Sequence, residues 1–307
     1  MTDPGNLAEW AALVALVLLV IVFEALNPTF LSSGNIRSML VAAAILIILG
    51  VGQTFVVATS GIDLSIASTM TLAAVVFGVT FTAGWGLPAA MLAAVLAGGV
   101  VGALNGLLVA RGKITDFIVT LGTLSAASGL ALILADGKPQ TVISVPLLRL
   151  STGTVGVLGY TFIIAVVLAA AAHVLLFHTR FGTYVLATGG NAEAANATGV
   201  RTARIKTAVY VISGVLAGVA SILLVARVGA AEPAANTAFL LNSVAAVVLG
   251  GVSLFGGRAT ILGPVIGALL LTALVNGLTL LGVSQFYQPL AVGVVVVLAA
   301  FLTRFQK

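Results

Sequence analysis

The chain has 307 residues, of which 61% are hydrophobic and 7% are charged, whereas soluble domains are about 45–50% apolar and about 25% charged. This composition excludes a soluble globular protein and requires lipid as the solvent for much of the surface. The net charge of +5 is spread thinly with no basic block, which argues against nucleic acid as a partner, and the lack of cysteine excludes disulfides and Cys-ligated metals.

Ten long apolar segments predict ten transmembrane helices. They lie at 11–26, 39–58, 63–82, 88–109, 117–135, 159–177, 208–228, 239–257, 259–281 and 289–303. The breaks at 59–63 and 255–259 fit either a loop or a broken helix with a re-entrant piece. Glycines four residues apart, such as Gly98 and Gly102, indicate closely packed helices in lipid. The sequence thus predicts an all-α membrane protein with a single domain, 1–307.

The basic residues between these segments predict the orientation of the chain. Nine of the 13 Lys and Arg fall on one side: Arg111, Lys113, Arg180, Arg201, Arg204, Lys206, Arg258, Arg304 and Lys307. Because cytoplasmic loops carry an excess of Lys and Arg, both termini are predicted to be cytoplasmic. The long segment 136–158 then lies outside. The long segment 178–207, the most polar of the chain, lies inside, where a water-soluble partner would dock.

The stretch TSGIDLS (59–65) places a carboxylate, Asp63, between two apolar segments. Ser60 and Asp63 have the spacing of a capping box, and Gly61 would permit a chain break before the next helix begins. A helix N-terminus would then offset the cost of placing the charge in lipid. The same break could instead line a translocation path, because irregular backbone at membrane depth is tolerated only beside protein or a cavity. Both interpretations stay open.

Other polar side chains within the spans are uncharged, which suits a polar, neutral solute better than an ion. Most are typical of hydrogen bonds between helices, and Gln53 is one of them. A weak internal echo relates GIDLS (61–65) to GVSLF (251–255), as in transporters with broken helices in two repeats. The candidates for a translocation path or helix break are Ser60, Gly61, Asp63, Ser65, Asn105, Thr123, Asn242 and Asn276.

No catalytic residue, metal site or cofactor is predicted for this chain. The nearest approach to a phosphate-binding loop is GLLVARGKI (106–114), which has five residues between its glycines instead of four. It also has Ile114 where Ser or Thr would be needed to bind Mg²⁺. The chain is therefore predicted not to hydrolyse ATP itself.

The sequence resembles the ribose-type sugar permeases of bacterial ABC importers over nearly its whole length. Four stretches carry the resemblance: TSGIDLSIAS (59–68), ITDFIVTLGTLSAASGLALILADGKP (114–139), TGGNAEAANATGVRTARIKTAVYVISGVLAGVAS (188–221) and LGGVSLFGGRATILGPVIGALLLTALVNGLTLLGVSQFYQ (249–288). Related permeases for branched-chain amino acids usually have Asn-Leu where Asp63-Leu64 stands here. The sugar permeases usually have glycine at the positions of Ser60 and Ala67, and often at Ala259.

The resemblance implies a type II importer permease in the bacterial cytoplasmic membrane, surrounded by membrane lipid. Two permease subunits, identical or paired with a similar chain, would enclose one path. A cytoplasmic ATPase, which binds ATP and Mg, would dock on a short coupling helix within 178–207, and a periplasmic or extracellular binding protein would deliver the sugar. The residues that match the family's coupling loop are Gly190, Asn191, Glu193, Ala194, Ala195 and Gly199.

Two alternatives remain at this stage. The same machinery could carry a polyol, a furanose signal molecule, a nucleoside or an amino acid. A secondary transporter or channel working alone would need buried carboxylates to couple protons or Na⁺. The sequence offers only Asp63 and, at the ends of spans, Glu24 and Asp116 for that purpose.

Overall fold

The computed structural model describes residues 4–234 and 237–304, which form a bundle of helices. The helices are α1 (Pro4–Leu26), α2 (Ser33–Ala58), α3 (Ile66–Thr82), α4 (Leu87–Ala110), α5 (Asp116–Leu134), α6 (Val145–Thr152), α7 (Tyr160–Phe177), α8 (Arg180–Gly190), α9 (Ala192–Ala197), α10 (Thr202–Val228), α11 (Thr237–Leu249), α12 (Leu262–Leu280) and α13 (Gln288–Arg304). Each predicted apolar segment contains one helix, so the prediction of an all-α membrane protein is confirmed.

The ten apolar helices differ in their length relative to the membrane. Seven described helices are long and apolar enough to cross a bilayer: α1, α2, α4, α5, α7, α10 and α12. The helices α3, α11 and α13 are shorter and apolar. With 13 residues, α11 is about 20 Å long, less than the hydrocarbon core of about 30 Å. Helix α11 is therefore too short to cross the membrane by itself, and the chain leaves the helical conformation before the crossing is complete.

Helix α2 lies at the centre of the bundle. Every residue from Ala43 to Ala58 is buried. Its sequence is apolar on all sides, which permits a central position, although an apolar helix can equally face lipid. It contacts α7, α10, α11 and α12. Helices farther out expose apolar side chains, including Leu18, Leu96 and Ile118, each more than half exposed, which suits a surface in contact with lipid.

Glycines bring two pairs of helices into direct backbone contact. Between α4 and α10, a Cβ on Gly98 would overlap the carbonyl oxygen of Gly214, and one on Gly106 would lie 2.7 Å from the Cα of Thr207. Between α11 and α12, a Cβ on Gly267 would overlap the carbonyl oxygen of Ala246. The prediction of close helix packing from glycine spacing is confirmed in both pairs.

The segment 136–158 is folded onto one end of the bundle. Its strand β1 (Gln140–Thr141) pairs antiparallel with β4 (Ala230–Ala231), and β2 (Thr154–Val155) pairs antiparallel with β3 (Leu158–Gly159). Helix α6 lies between them, contacts α7 and α10, and buries Leu147. This segment therefore covers the bundle as a small cap.

Several predicted boundaries are wrong at the two breaks. Helix α3 begins at Ile66 rather than 63, and α11 ends at Leu249 rather than 257. The chain is not helical again until α12 begins at Leu262, because two pairs of consecutive glycines interrupt it. Gly251, Gly256 and Gly257 have positive φ angles, which an α-helix cannot accommodate. Residues 178–207, predicted as a polar connection that contains one short helix, hold more helix than that: α8, α9 and the start of α10.

Candidate translocation and coupling site

Asp63 is buried at the break between α2 and α3 and is 3% exposed. Its Oδ1 accepts hydrogen bonds from the backbone N–H and the hydroxyl of Ser65, at 3.0 and 2.7 Å. Its Oδ2 accepts one from the hydroxyl of Ser213 in α10, at 2.9 Å. Such partners offset the cost of burying a carboxylate away from water. In this conformation Asp63 ties the break to α10 and its carboxylate points into the protein.

A chain of hydrogen bonds continues from Asp63 across two more helices. The hydroxyl of Ser65 accepts from the amide Nδ2 of Asn105 in α4 at 2.8 Å. The hydroxyl of Thr123 in α5 donates to the Oδ1 of Asn105 at 2.6 Å. Ser65 and Asn105 are buried, and Thr123 is half-buried. Four of the eight predicted path or break residues therefore belong to one polar network that joins α3, α4, α5 and α10.

The backbone that leads into Asp63 is held from two sides. The N–H of Ile62 donates to the Oδ2 of Asp116 at 2.7 Å, and its carbonyl accepts from the hydroxyl of Tyr210 at 3.1 Å. Asp116 is the first residue of α5, where a carboxylate favours the helix N-terminus. Both polar groups of this non-helical residue are therefore satisfied by side chains, as irregular backbone within a membrane protein requires.

The predicted capping box is wrong. Ser60 makes no hydrogen bond to the start of α3; its hydroxyl lies 2.8 Å from the carbonyl oxygen of Gly189 and 2.7 Å from that of Phe255. Asp63 instead accepts a hydrogen bond from the backbone N–H of Ser65, the N-cap residue of α3. The side chain of Ser65 does not cap α3 itself. The break spans seven residues, so Ser60 is too far from α3 to cap it.

The left-handed residue of the break is Ser60, with φ of 60°, rather than Gly61. The glycine usual at this position in ribose-type permeases suits that backbone conformation. Gly61 is needed for space instead, because a Cβ there would lie 3.0 Å from the side chain of Val56 and 3.2 Å from the hydroxyl of Tyr210. A glycine is therefore favoured at position 60 by the backbone conformation and required at position 61 by the lack of space for a side chain.

The remaining candidates lie away from this network. Asn276 in α12 exchanges two amide hydrogen bonds with Asn35 near the start of α2, at 2.8 and 2.9 Å. Asn242 is half-buried in α11. Asn105 therefore belongs to the Asp63 network, whereas Asn276 joins α12 to α2.

The predicted coupling residues lie in and beside the short helix α9, at the same end of the bundle as the Asp63 break. The side chain of Asn191 caps α9 by accepting from the N–H of Ala194 at 2.9 Å. Glu193 and Ala194 are exposed, whereas Ala195 is buried at 6% exposure and anchors α9 to the bundle. Gly199, with φ of 92°, ends this segment before α10 begins. Gly190 is the last residue of α8.

Sequence reasoning missed two residues of the site, and its expectation for Gln53 is not met. Ser213 and Tyr210, which bind the break from α10, sit in an apolar helix, where only their polarity distinguishes them. Gln53 in α2 was expected to bond between helices. Its side-chain nitrogen and oxygen are buried, and neither has a hydrogen-bond partner among the residues that the structure describes.

These features define the class of protein. The chain is a multi-pass helical membrane protein with a buried polar network at one helix break and an exposed, capped helix on a polar connection at the same end. The chain matches the family described as "Branched-chain amino acid transport system / permease component" over residues 35–302, and it belongs to that family. The predicted multi-pass protein of the bacterial cytoplasmic membrane is thereby confirmed.

Within this family, the chain is similar to permeases that are named for sugars. The chain is 37% identical to the ribose import permease protein RbsC of Escherichia coli (strain K12), over 96% of this chain and 94% of the relative. It is 37% identical to the ribose import permease protein RbsC of Bacillus subtilis (strain 168), over 98% and 94%. It is 33% identical to the D-allose transport system permease protein AlsC of Escherichia coli (strain K12), over 96% and 91%. The resemblance to ribose-type sugar permeases is confirmed.

No solved structure matched the chain.

Proposed function

We propose that this chain is the membrane-spanning permease subunit of an ATP-driven ABC importer, and that it forms the translocation path for a monosaccharide by alternating access. The observation that carries this proposal is the similarity, over more than nine-tenths of the chain, to permeases named for ribose and allose. Pentoses and hexoses are neutral and rich in hydroxyl groups, which suits spans whose polar side chains are mostly uncharged.

The ATPase is proposed to be a separate cytoplasmic chain that binds ATP and Mg, and no cofactor is assigned to this chain. Helix α9 offers that partner an exposed surface at Glu193 and Ala194, on a helix that Ala195 anchors to the bundle. An anchored helix with an exposed face transmits force in either direction, since interiors are close-packed and deform little. Residues 190–199 are therefore the proposed coupling element.

The orientation proposed is that both termini and α9 face the cytoplasm. Three connections lie near one another at that end: the break after α2, the start of α5 at Asp116, and the end of α8 at Gly189. The connection before α5 carries Arg111 and Lys113, which favours the cytoplasmic side. A periplasmic or extracellular binding protein would then dock at the opposite end, and a second permease chain, identical or similar, would complete the path.

A secondary transporter is disfavoured by the surroundings of Asp63. A carboxylate that couples protons or Na⁺ must become accessible to the ion during the cycle. Here both carboxylate oxygens accept hydrogen bonds from neighbouring residues, and Asp63 is 3% exposed. These contacts fit a structural role at the helix break better than ion binding.

The proposal is tested by purifying the tagged chain gently from its native membrane and identifying the proteins that accompany it. We expect an ABC ATPase and, from extracts that retain it, a secreted binding protein. A second permease chain in the eluate would indicate a heterodimer. The binding protein is then titrated with D-ribose, D-allose and L-arabinose, and with polyols, nucleosides and amino acids. The proposal would be contradicted if neither partner were recovered from membranes in which the tagged chain still transports sugar.

Reversing the charge on α9 is expected to release the ATPase. Glu193→Arg places a positive charge in the first turn of α9, where a helix N-terminus favours negative charge by about 0.3–1 kcal/mol, and it alters the exposed docking face. We expect at least a tenfold loss of co-purified ATPase, while the chain still elutes as a folded protein. Gly199→Trp, at φ of 92°, should have the same effect by distorting the end of the segment.

The matched control is Glu232→Arg, the same charge reversal at an exposed residue just after β4, at the other end of α10. It should leave ATPase recovery unchanged. Full ATPase recovery and sugar uptake by both Glu193→Arg and Gly199→Trp would refute the assignment of residues 190–199 as the coupling element.

A further inference from the structure

Three parts of the chain that are far apart in sequence meet beside Ser60. They are the end of α2 (58–60), the end of α8 (189–190) and the turn after α11 (255–257), together called the joint. The hydroxyl of Ser60 lies 2.8 Å from the carbonyl oxygen of Gly189 and 2.7 Å from that of Phe255, so its single proton is shared between the two other segments. The N–H of Gly257 donates to the carbonyl of Ala58 at 3.1 Å.

The joint has almost no side chains between its three backbones. A Cβ on Gly189 would overlap the carbonyl oxygen of Ala58, and a Cβ on Gly256 would overlap the hydroxyl oxygen of Ser60. A Cβ on Gly257 would lie 2.8 Å from the Cα of Gly190. Apart from the hydroxyl of Ser60, these contacts are backbone against backbone, so few flexible side chains could absorb a relative movement, and close-packed contacts transmit displacement.

The joint connects the proposed coupling element to both helix breaks, because it includes residues of all three. Helix α9 begins at Ala192, two residues after the α8 segment of the joint. Asp63, with its network to α4, α5 and α10, follows Ser60 by three residues. The third segment lies in the turn that connects α11 to α12. A displacement of α9 therefore reaches the start of α3 and the turn before α12 through a single set of contacts.

We propose that the joint moves as one rigid body during transport, and that it carries the displacement of α9 to both helix breaks. This inference rests on the proposed function, because it presupposes an ATPase that moves α9. It assigns a positioning role to Ser60, Gly189, Gly256 and Gly257, none of which contacts the solute in this account. The Asp63 network then forms the part of the bundle that the joint moves.

The rigid-body claim is tested on the unmodified complex by hydrogen–deuterium exchange, with and without ATP under conditions that block hydrolysis. The amide of Gly257 is bonded across the joint to Ala58, so it reports directly on separation. We expect peptides covering 57–61, 187–190 and 255–259 to be equally protected in both states. A loss of protection of tenfold or more in either state would show that the joint opens, and would overturn the proposal.

The transmission claim is tested by inserting one methyl group into the joint. In Gly189→Ala and in Gly256→Ala, the new Cβ overlaps atoms of the α2 segment, which forces that segment away. The complex is assayed with binding protein loaded with D-ribose, D-allose or L-arabinose, whichever stimulates the wild-type ATPase most. We expect both variants to retain the ATPase subunit and its basal activity, and the ATP hydrolysed per sugar transported to rise at least fivefold.

A second substitution, Ser60→Gly, distinguishes the predicted collision at Ser60 from a general disturbance of the joint. Gly256→Ala collides with the Ser60 hydroxyl, so adding Ser60→Gly should partly restore coupling, and glycine suits the φ of 60° at that position. The same change should not rescue Gly189→Ala, which collides with the backbone oxygen of Ala58. Gly293→Ala in α13, with no atom within 4 Å of the new Cβ, is the control and should stay coupled.

The outcomes separate this inference from the proposed function. If the wild-type complex contains no ATPase, or none of the three sugars stimulates it, the proposed function fails. If the wild type is coupled and folded Gly189→Ala or Gly256→Ala is equally coupled, only the joint is refuted. Loss of the ATPase subunit from both variants would also refute it, because the joint would then serve docking rather than transmission.

Discussion

Gly102→Ala is expected to destabilise the chain strongly, although it adds a single methyl group. The new Cβ would overlap the carbonyl oxygen of Tyr210 and lie 3.1 Å from the Cα of Val211, so α4 and α10 would have to separate along their shared face. Overpacking of this kind costs about 1–3 kcal/mol or more, and here the obstacle is backbone, which cannot change rotamer. The yield of monodisperse protein in mild detergent and its thermal midpoint measure the effect.

The control for this change is Gly293→Ala, also within an apolar helix. No atom lies within 4 Å of the Cβ it adds, and alanine is favoured over glycine in a helix by about 1 kcal/mol. It should therefore leave the thermal midpoint unchanged or raise it. A Gly102→Ala protein as stable as Gly293→Ala would contradict the close approach of α4 and α10 that the structure describes.

Asp63→Leu is expected to abolish transport and destabilise the protein, whereas Asp63→Asn is expected to retain most of both. Leucine leaves the N–H and the hydroxyl of Ser65 without their acceptor, at about 1–3 kcal/mol for each buried group left unsatisfied, and it removes the partner of Ser213 in α10. Asparagine keeps an oxygen for Ser65, and its amide can donate to the hydroxyl of Ser213. Ser213 can then donate to a carbonyl of its own helix, as serines in helices do.

Thermal denaturation and sugar uptake of the same preparations measure this pair. Glu232→Leu is the control, because this carboxylate is exposed just after β4 and no hydrogen bond within the described part of the chain depends on it. If Asp63→Asn were as stable as the wild type yet inactive, the charge itself would be needed. That result would favour ion coupling over a structural role for Asp63.

The sequence predicted the helices well because apolar length is a strong signal in membrane proteins. All ten apolar segments contain a helix, and the tight packing at Gly98 and Gly267 followed from glycine spacing. The exposed helix at Glu193 was predicted from the resemblance to a family. These features depend on short stretches of sequence, where composition and spacing carry the information.

The breaks were predicted less well because their geometry depends on residues distant in sequence. Ser60 was assigned to the helix that follows it, but its hydroxyl bonds Gly189, which is 129 residues away, and Phe255, which is 195 residues away. Ser213 was overlooked for the same reason, since its partner Asp63 is 150 residues away. A local motif such as the capping box cannot anticipate a tertiary contact that competes for the same hydroxyl.

The central claim is that this chain forms the path of an importer driven by ATP on the cytoplasmic side. The most direct measurement reconstitutes the chain into liposomes with its co-purified ATPase, traps ATP and Mg²⁺ inside, and adds binding protein with radiolabelled D-ribose, D-allose or L-arabinose outside. The account predicts uptake of at least one sugar that requires ATP, binding protein and ATPase together. Uptake by this chain alone, driven by a proton or Na⁺ gradient without ATP, would contradict it.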